Sequence, residues 1–183
     1  MRSAYLQNIT RHPQVSNGFQ QQYRPMALAV LVALAAAATP RPAEAASAHL
    51  HFYMQDVTSG PSPTAVRVVN GPRGRGCLGN TNVMDDKLTE GTSSSSATVG
   101  RAQGYYMCAS VANLELLVTM NVVLTSGPYA GSSITVVGRD DVSAPVRELS
   151  VVGGTGQFRM ARGYVLWKTI NDELIDLEIF VNP

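Results

Sequence analysis

The chain has 183 residues, 14 Lys and Arg against 13 Asp and Glu for a formal charge of +1, and 45% apolar content. That length allows one domain plus a leader, the balanced charge removes the electrostatic footprint by which proteins hold DNA or RNA, and the apolar share excludes wholesale disorder. Two cysteines and three histidines are too few soft ligands for a zinc cluster or an iron–sulfur centre, so neither a metal nor a cofactor is expected.

The longest apolar run, Met26 to Thr39, is fourteen residues long, short of the ~20 needed to cross a bilayer. It fits the apolar region of a secretory signal, and Ala43-Glu44-Ala45 supplies small residues where a signal peptidase reads them. Cleavage is expected after Ala45, with Ala48 as the next candidate, and no membrane association is expected of the mature chain. Met1–Pro25, polar and carrying Arg2, Arg11 and Arg24, makes a long positive region before the apolar run; Met26 is an alternative start. Met1 to Pro42 contains no Asp or Glu, which keeps a plastid transit peptide as the competing reading. Residues 1–45 are thus assigned to the N-terminal extension and signal, and 46–183 to one domain. Removing the leader takes four arginines from the 14 bases and Glu44 from the 13 acids, leaving 10 against 12, a net −2. The only Asn-x-Ser/Thr triplet, Asn8-Ile9-Thr10, falls in the leader, so no N-glycan is expected on the mature protein.

Period-two alternation dominates from His49 onward. Leu114, Leu116, Val118, Met120, Val122 and Leu124 are apolar at every second position, with mostly polar neighbours, as in a half-buried strand. Similar runs are His49–Asp56, Ala65–Val69, Thr81–Met84, Ala97–Ser110, Ser133–Gly138, Gly163–Lys168 and Leu174–Val181. Gly/Pro/Ser clusters at Ser59–Pro63, Asn70–Pro72 and Ser126–Pro128 punctuate them as turns, and the four-glycine stretch Gly71–Gly79 reads as a flexible connection. About eight strands with short links predict an all-β antiparallel barrel or sandwich, and the long strands favour the barrel. Gly100 and Gly104 mark places where its wall could bend. Cys77 and Cys108, 31 residues apart, are either a disulfide in an oxidising compartment or two buried thiols.

No nucleophile elbow, phosphate-binding loop, dinucleotide fingerprint or zinc-protease helix is present. A serine triad needs a histidine, and the mature chain has only His49 and His51, both on the first strand. What remains is a set of polar residues in apolar surroundings, each with two readings. Asp56 is either a turn residue before Thr58-Ser59-Gly60 or a functional acid. Asp140 and Asp141 are either exposed partners of Arg139 or Arg147 or part of a site. Tyr105 and Tyr106 are either packing residues or ligand contacts.

His51-Phe52-Tyr53-Met54-Gln55-Asp56, Pro63–Val66, Asp85-Asp86-Lys87-Leu88-Thr89-Glu90-Gly91, Gly100–Tyr106, Arg147–Gly156 and Phe158–Tyr164 resemble, in order and spacing, the blocks of plant dirigent proteins across roughly residues 49–181. Lys87 stands where those proteins usually carry proline. The resemblance implies an eight-stranded antiparallel β-barrel of the dirigent/allene oxide cyclase-like type, secreted to the apoplast or cell wall as a homo-oligomer, a trimer or dimer. It implies no oxidase activity: a separate laccase or peroxidase makes phenoxy radicals of monolignols such as coniferyl alcohol, and the barrel directs their coupling to one stereoisomer of a lignan. Other relatives act as dehydratases or cyclases on quinone-methide intermediates, or bind phenols without catalysis in walls and defence. By match to the motifs, Asp56 and Asp140 are the implied proton donors, Arg147 the group that binds a phenolic or quinone oxygen, and Tyr106 a wall of the substrate pocket. Gly153-Gly154-Thr155-Gly156 is expected to be a tight turn requiring positive φ.

Overall fold

The structure, a computed structural model, describes residues 48–182. The leader and the cleavage expected after Ala45 lie outside the described residues. Nine strands follow one another: β1 (Ala48–Gln55), β2 (Ala65–Val69), β3 (Thr81–Thr89), β4 (Thr98–Cys108), β5 (Glu115–Leu124), β6 (Ser133–Asp141), β7 (Arg147–Thr155), β8 (Arg162–Asn171) and β9 (Leu174–Asn182). They form one antiparallel sheet in the order β1-β9-β8-β7-β6-β5-β4-β3-β2, and a further β1–β3 pairing closes it. The barrel has eight staves, because β1 and β2 share one. Tyr53–Gln55 of β1 face Thr89–Lys87 of β3, and Ala65–Val69 of β2 face Met84–Thr81 of the same strand. Residues 56–64 leave the wall between them.

Alternation decides which side chains fill the interior. On β5, Val118, Met120, Val122 and Leu124 are buried, and on β9 Ile175, Leu177, Ile179 and Val181 are, while Asp176 and Glu178 point outward. Each fully buried side chain of this kind contributes about 1.5–3 kcal/mol relative to exposure. Outward Asp176 and Glu178 meet His51 (2.6 Å) and His49 (3.2 Å) on the barrel's outer face, which removes both histidines from any interior chemistry.

The two ends of the barrel differ. At the end formed by the start of β1, β6 and β8 and the close of β5, β7 and β9, a single 3₁₀ turn (Gly156–Phe158) drives Phe158 into the bore, where it is fully buried against Tyr129. Gly156 has φ +61°, and a Cβ there would lie 2.5 Å from Ser132 Oγ, so glycine is required.

Two expectations are corrected and a third, on Gly104, is extended. The segment Leu149–Val152 lies within a full strand, β7, and Gly153 and Gly154 belong to that strand, so the positive-φ requirement falls on Gly156 alone of the three glycines. Gly104 serves close approach: a Cβ on it would fall 2.1 Å from Thr119 O of β5. The Gly71–Gly79 connection is fastened, because Cys77 is disulfide-bonded to Cys108 at the end of β4, Gly79 N–H donates to Cys108 O (2.9 Å) and Gly71 N–H donates to Asn80 Oδ1 (2.8 Å).

Candidate functional site

The opposite end is hollow. A cavity of about 670 Å³ opens there, lined by Asp56, Tyr106, Asp140 and Arg147 together with apolar Met54, Met84, Leu116, Val118, Trp167 and Ile175. The four residues singled out in the sequence therefore meet at one place. They arrive from different staves: Asp56 follows β1, Tyr106 sits on β4, Asp140 on β6 and Arg147 opens β7. In the ring order, β1 lies across the bore from β6 and β7, so two polar clusters face each other over an apolar floor.

The first cluster is the pair Arg147 and Asp140, both buried, with Arg147 Nε donating to Asp140 Oδ1 at 2.8 Å. Arg147 Nη2 also donates to Thr169 Oγ1 at 2.9 Å, and its guanidinium carbon lies 6.0 Å from the Trp167 ring centroid. Burial raises the Asp140 carboxyl above its ordinary value while the guanidinium opposes that shift. Of the two alternatives for this region, the exposed salt bridges belong to the outward neighbours: Arg139 pairs with Glu115 (3.0 Å) and Asp141 (3.4 Å).

The second cluster gathers at the break between β1 and β2. Asp56 is held by its backbone N–H donating to Glu173 O (3.0 Å), but its Oδ1 is buried with no hydrogen-bond partner. Desolvation raises its carboxyl. Tyr106 is half-buried beside it, its phenol pushed up to about 12 by desolvation first and then by the Asp56 and Asp86 charges. Tyr105, the preceding residue, points outward and is exposed.

Four residues at this end were not singled out from the sequence: Asp86, Thr64, Trp167 and Thr169. Asp86 is fully buried on β3, with Thr64 Oγ1 donating to its Oδ1 at 2.5 Å and its Oδ2 unpartnered. The signal was available: Met84, Asp86 and Leu88 occupy alternate positions, so an acid sits in a run of inward residues. Among the described residues, the buried side-chain atoms without a partner are Asp56 Oδ1, Asp86 Oδ2 and Trp167 Nε1, all at the open end. Buried polar groups are normally satisfied, so such a concentration marks a place built for a polar guest or a proton.

A closed barrel, filled at one end and presenting desolvated acids in an apolar hollow at the other, has the form in which small-molecule sites and sheltered proton transfer are found. The family model described as dirigent-like protein matches residues 47–182. The chain is 40% identical over 139 residues to dirigent protein 21 of Arabidopsis thaliana, covering 71% of this chain and 74% of that one. It is 39% identical over 142 residues to pterocarpan synthase 1 of Glycine max, covering 72% and 76%. The solved structure of the pterocarpan synthase dirigent protein GePTS1 superposes with a TM-score of 0.71 at 37% identity, over 78% of this chain and 87% of that one. The chain belongs to the dirigent family.

Proposed function

We propose that this barrel controls the stereochemistry of bond formation at a phenol-derived quinone methide. The observation that carries this reading is the meeting of a desolvated acid, Asp56, and a buried Arg147–Asp140 pair across one apolar cavity. A phenol with a benzylic hydroxyl para to it, and a second hydroxyl on the same skeleton, suits both clusters. Asp56 donates its proton to the benzylic oxygen, which leaves as water, while Asp140 takes the phenolic proton and Arg147 holds the resulting carbonyl oxygen. The second hydroxyl then adds to the benzylic carbon, its proton passes to Asp56, and Asp140 returns the proton to the phenolic oxygen. Atoms and charges balance with loss of one water and no oxidant. Because the apolar walls fix the guest, addition occurs on one face, and each ~1.4 kcal/mol between the two approaches gives about tenfold selectivity. Pterocarpan synthases among the relatives support the cyclising form.

A second reading, monolignol coupling after a separate laccase or peroxidase has made the radicals, is favoured by the cavity's size. Its volume of about 670 Å³ accommodates a pair of phenylpropanoid units, and it falls within the ~300–1,000 Å³ usual for ligand sites. Secretion to the apoplast is supported by the Cys77–Cys108 disulfide. Assembly as a homo-oligomer is supported by exposed Val66, Val83 and Tyr105, cross-strand neighbours on the outer wall.

The test is chiral chromatography of two reactions: a racemic phenol carrying a para benzylic hydroxyl and a second hydroxyl with protein alone, and coniferyl alcohol with laccase and protein. The proposed function predicts enantioselective, oxidant-free cyclisation in the first, slowed at least a hundredfold by Asp56→Asn. Selectivity only in the second establishes radical coupling instead. Racemic products in both, with the phenols still bound, leave a wall or defence protein that holds phenols without directing them.

A further inference from the structure

Asp86 has no part in the chemistry just described, yet it is a carboxyl sealed in the wall beside it. The β1–β3 register runs Tyr53↔Thr89, Met54↔Leu88, Gln55↔Lys87. One step further brings Asp56 opposite Asp86, and because Met54 and Leu88 both point inward, the two carboxyls share the inner face. Each has one buried oxygen with no partner, Oδ1 of Asp56 and Oδ2 of Asp86. The other oxygen of Asp86 accepts from Thr64 Oγ1 (2.5 Å), and that same hydroxyl accepts from Val57 N–H at 3.0 Å, fastening the residue after Asp56. Asp86 does not itself line the cavity, so any proton it holds reaches a guest only by way of Asp56.

We propose that Asp56 and Asp86 form a carboxyl pair carrying one shared proton, in which Asp86 is the buried reservoir that hands that proton to Asp56 at the cavity wall. The inference rests on the proposed function for its catalytic meaning and on the register for its geometry. Two carboxyls opposed on one inner face, each with a buried unpartnered oxygen, cannot both ionise readily, so they lose their protons in two separate steps. The groups around the pair agree with that. Burial first, and then the Asp56 and Asp85 charges, push the Asp86 carboxyl up to about 7, against opposing contributions from Thr64 and Arg101; Tyr106 faces both acids, with Arg67 near it. Between the lower step and about pH 7 the pair therefore keeps one proton, mostly on Asp86. A guest takes the pair's one proton at Asp56 after Asp86 has handed it over, and the proton released by the second hydroxyl returns to the pair through Asp56. Asp86 is thus a positioning and proton-holding residue, and Asp56 remains the one that touches the guest.

The experiment is a carboxyl ¹³C NMR titration of the intact protein without substrate, for the wild type, Asp56→Asn and Asp86→Asn. The expected result is two inflections at the pair in the wild type, one in Asp86→Asn, and a fall of about one pH unit in the Asp86 midpoint in Asp56→Asn, roughly tenfold in proton affinity. An Asp86 midpoint unchanged by Asp56→Asn overturns the pair, and so does a single Asp56 inflection at the same pH with and without Asp86. The Asp56→Asn arm stands by itself if Asp86→Asn does not fold. Because no turnover is measured, a titration that shows coupling while both chromatographic reactions give racemic products retires the proposed function and leaves the pair intact.

Discussion

The filled and hollow ends of this barrel are built from the same staves, yet they solve opposite problems. At the filled end, Phe158, Leu124, Val122, Ile134, Val151 and Val181 close the bore with side chains that have no polar atom to satisfy. At the hollow end, inward positions of β4, β6, β7 and β8 carry Tyr106, Asp140, Arg147 and Trp167, and two of the three unpartnered buried atoms among the described residues belong to acids. One end gains stability from apolar burial; the other spends some of that stability on groups that are costly to desolvate. The difference teaches that a strand can be structural over half its length and chemical over the other half.

The largest expected effect tests the filled end. Phe158→Ala removes a fully buried ring from the plug and should cost about 5 kcal/mol, the upper end of such truncations, read as a lower denaturation midpoint in urea. A loss below about 1 kcal/mol would mean that the plug carries no weight.

The next concerns pH. Asp86 in the folded chain titrates near 7, against an ordinary value of 3.8. A folded carboxyl with a raised value binds more protons than the unfolded one between those two points, so stability falls as pH rises through that window. The fall is on the order of 4 kcal/mol from Asp86 alone, and Asp86→Asn, which cannot ionise, should flatten this part of the curve when unfolding is followed from pH 4 to 8.

Breaking the buried ion pair comes third. Arg147→Met leaves Asp140 buried without its partner and should cost about 3 kcal/mol. The double change Arg147→Met with Asp140→Leu should recover most of that loss in chemical denaturation while activity stays absent. Such a result would separate what the pair does for the guest from what it does for the fold. Smallest is the outer face: Asp176→Asn removes the partner of His51, a half-exposed pair, and should change stability by less than ~1 kcal/mol. A larger change would erase the contrast between the interior and the skin.

The filled end was the more legible of the two in the sequence. β5 and β9 announce themselves by strict alternation, and their inward residues are the ones the period assigns. β7 was not legible as a strand because Gly153 and Gly154 imitate a turn; both lie in the sheet, and at Gly154 a Cβ would collide with Ser133 O at 2.4 Å. The second half of β3 was missed for a related reason, since Asp85, Asp86 and Lys87 look like a solvated loop until the alternation is carried through them. At the hollow end, Asp56, Tyr106, Asp140 and Arg147 stood out as polar residues in apolar stretches, but only motif resemblance joined them into one site, because nothing in a linear pattern says that distant residues converge. Trp167 and Thr169 gave no such signal: their place depends on which inward residues of β8 lie level with Arg147, which only the register of β7 on β8 decides.

The divided stave has a further consequence. Since β1 is aligned by β9 and β3 and β2 by β3, and Val57 and Thr64 are tied to each other, residues 58–63 of the detour can lengthen or shorten without shifting any strand. Part of that detour, including Thr58 and Pro63, borders the mouth of the hollow. The barrel thus owns an adjustable doorframe, where changes of reach or bulk would alter admission to the interior while the walls stand still.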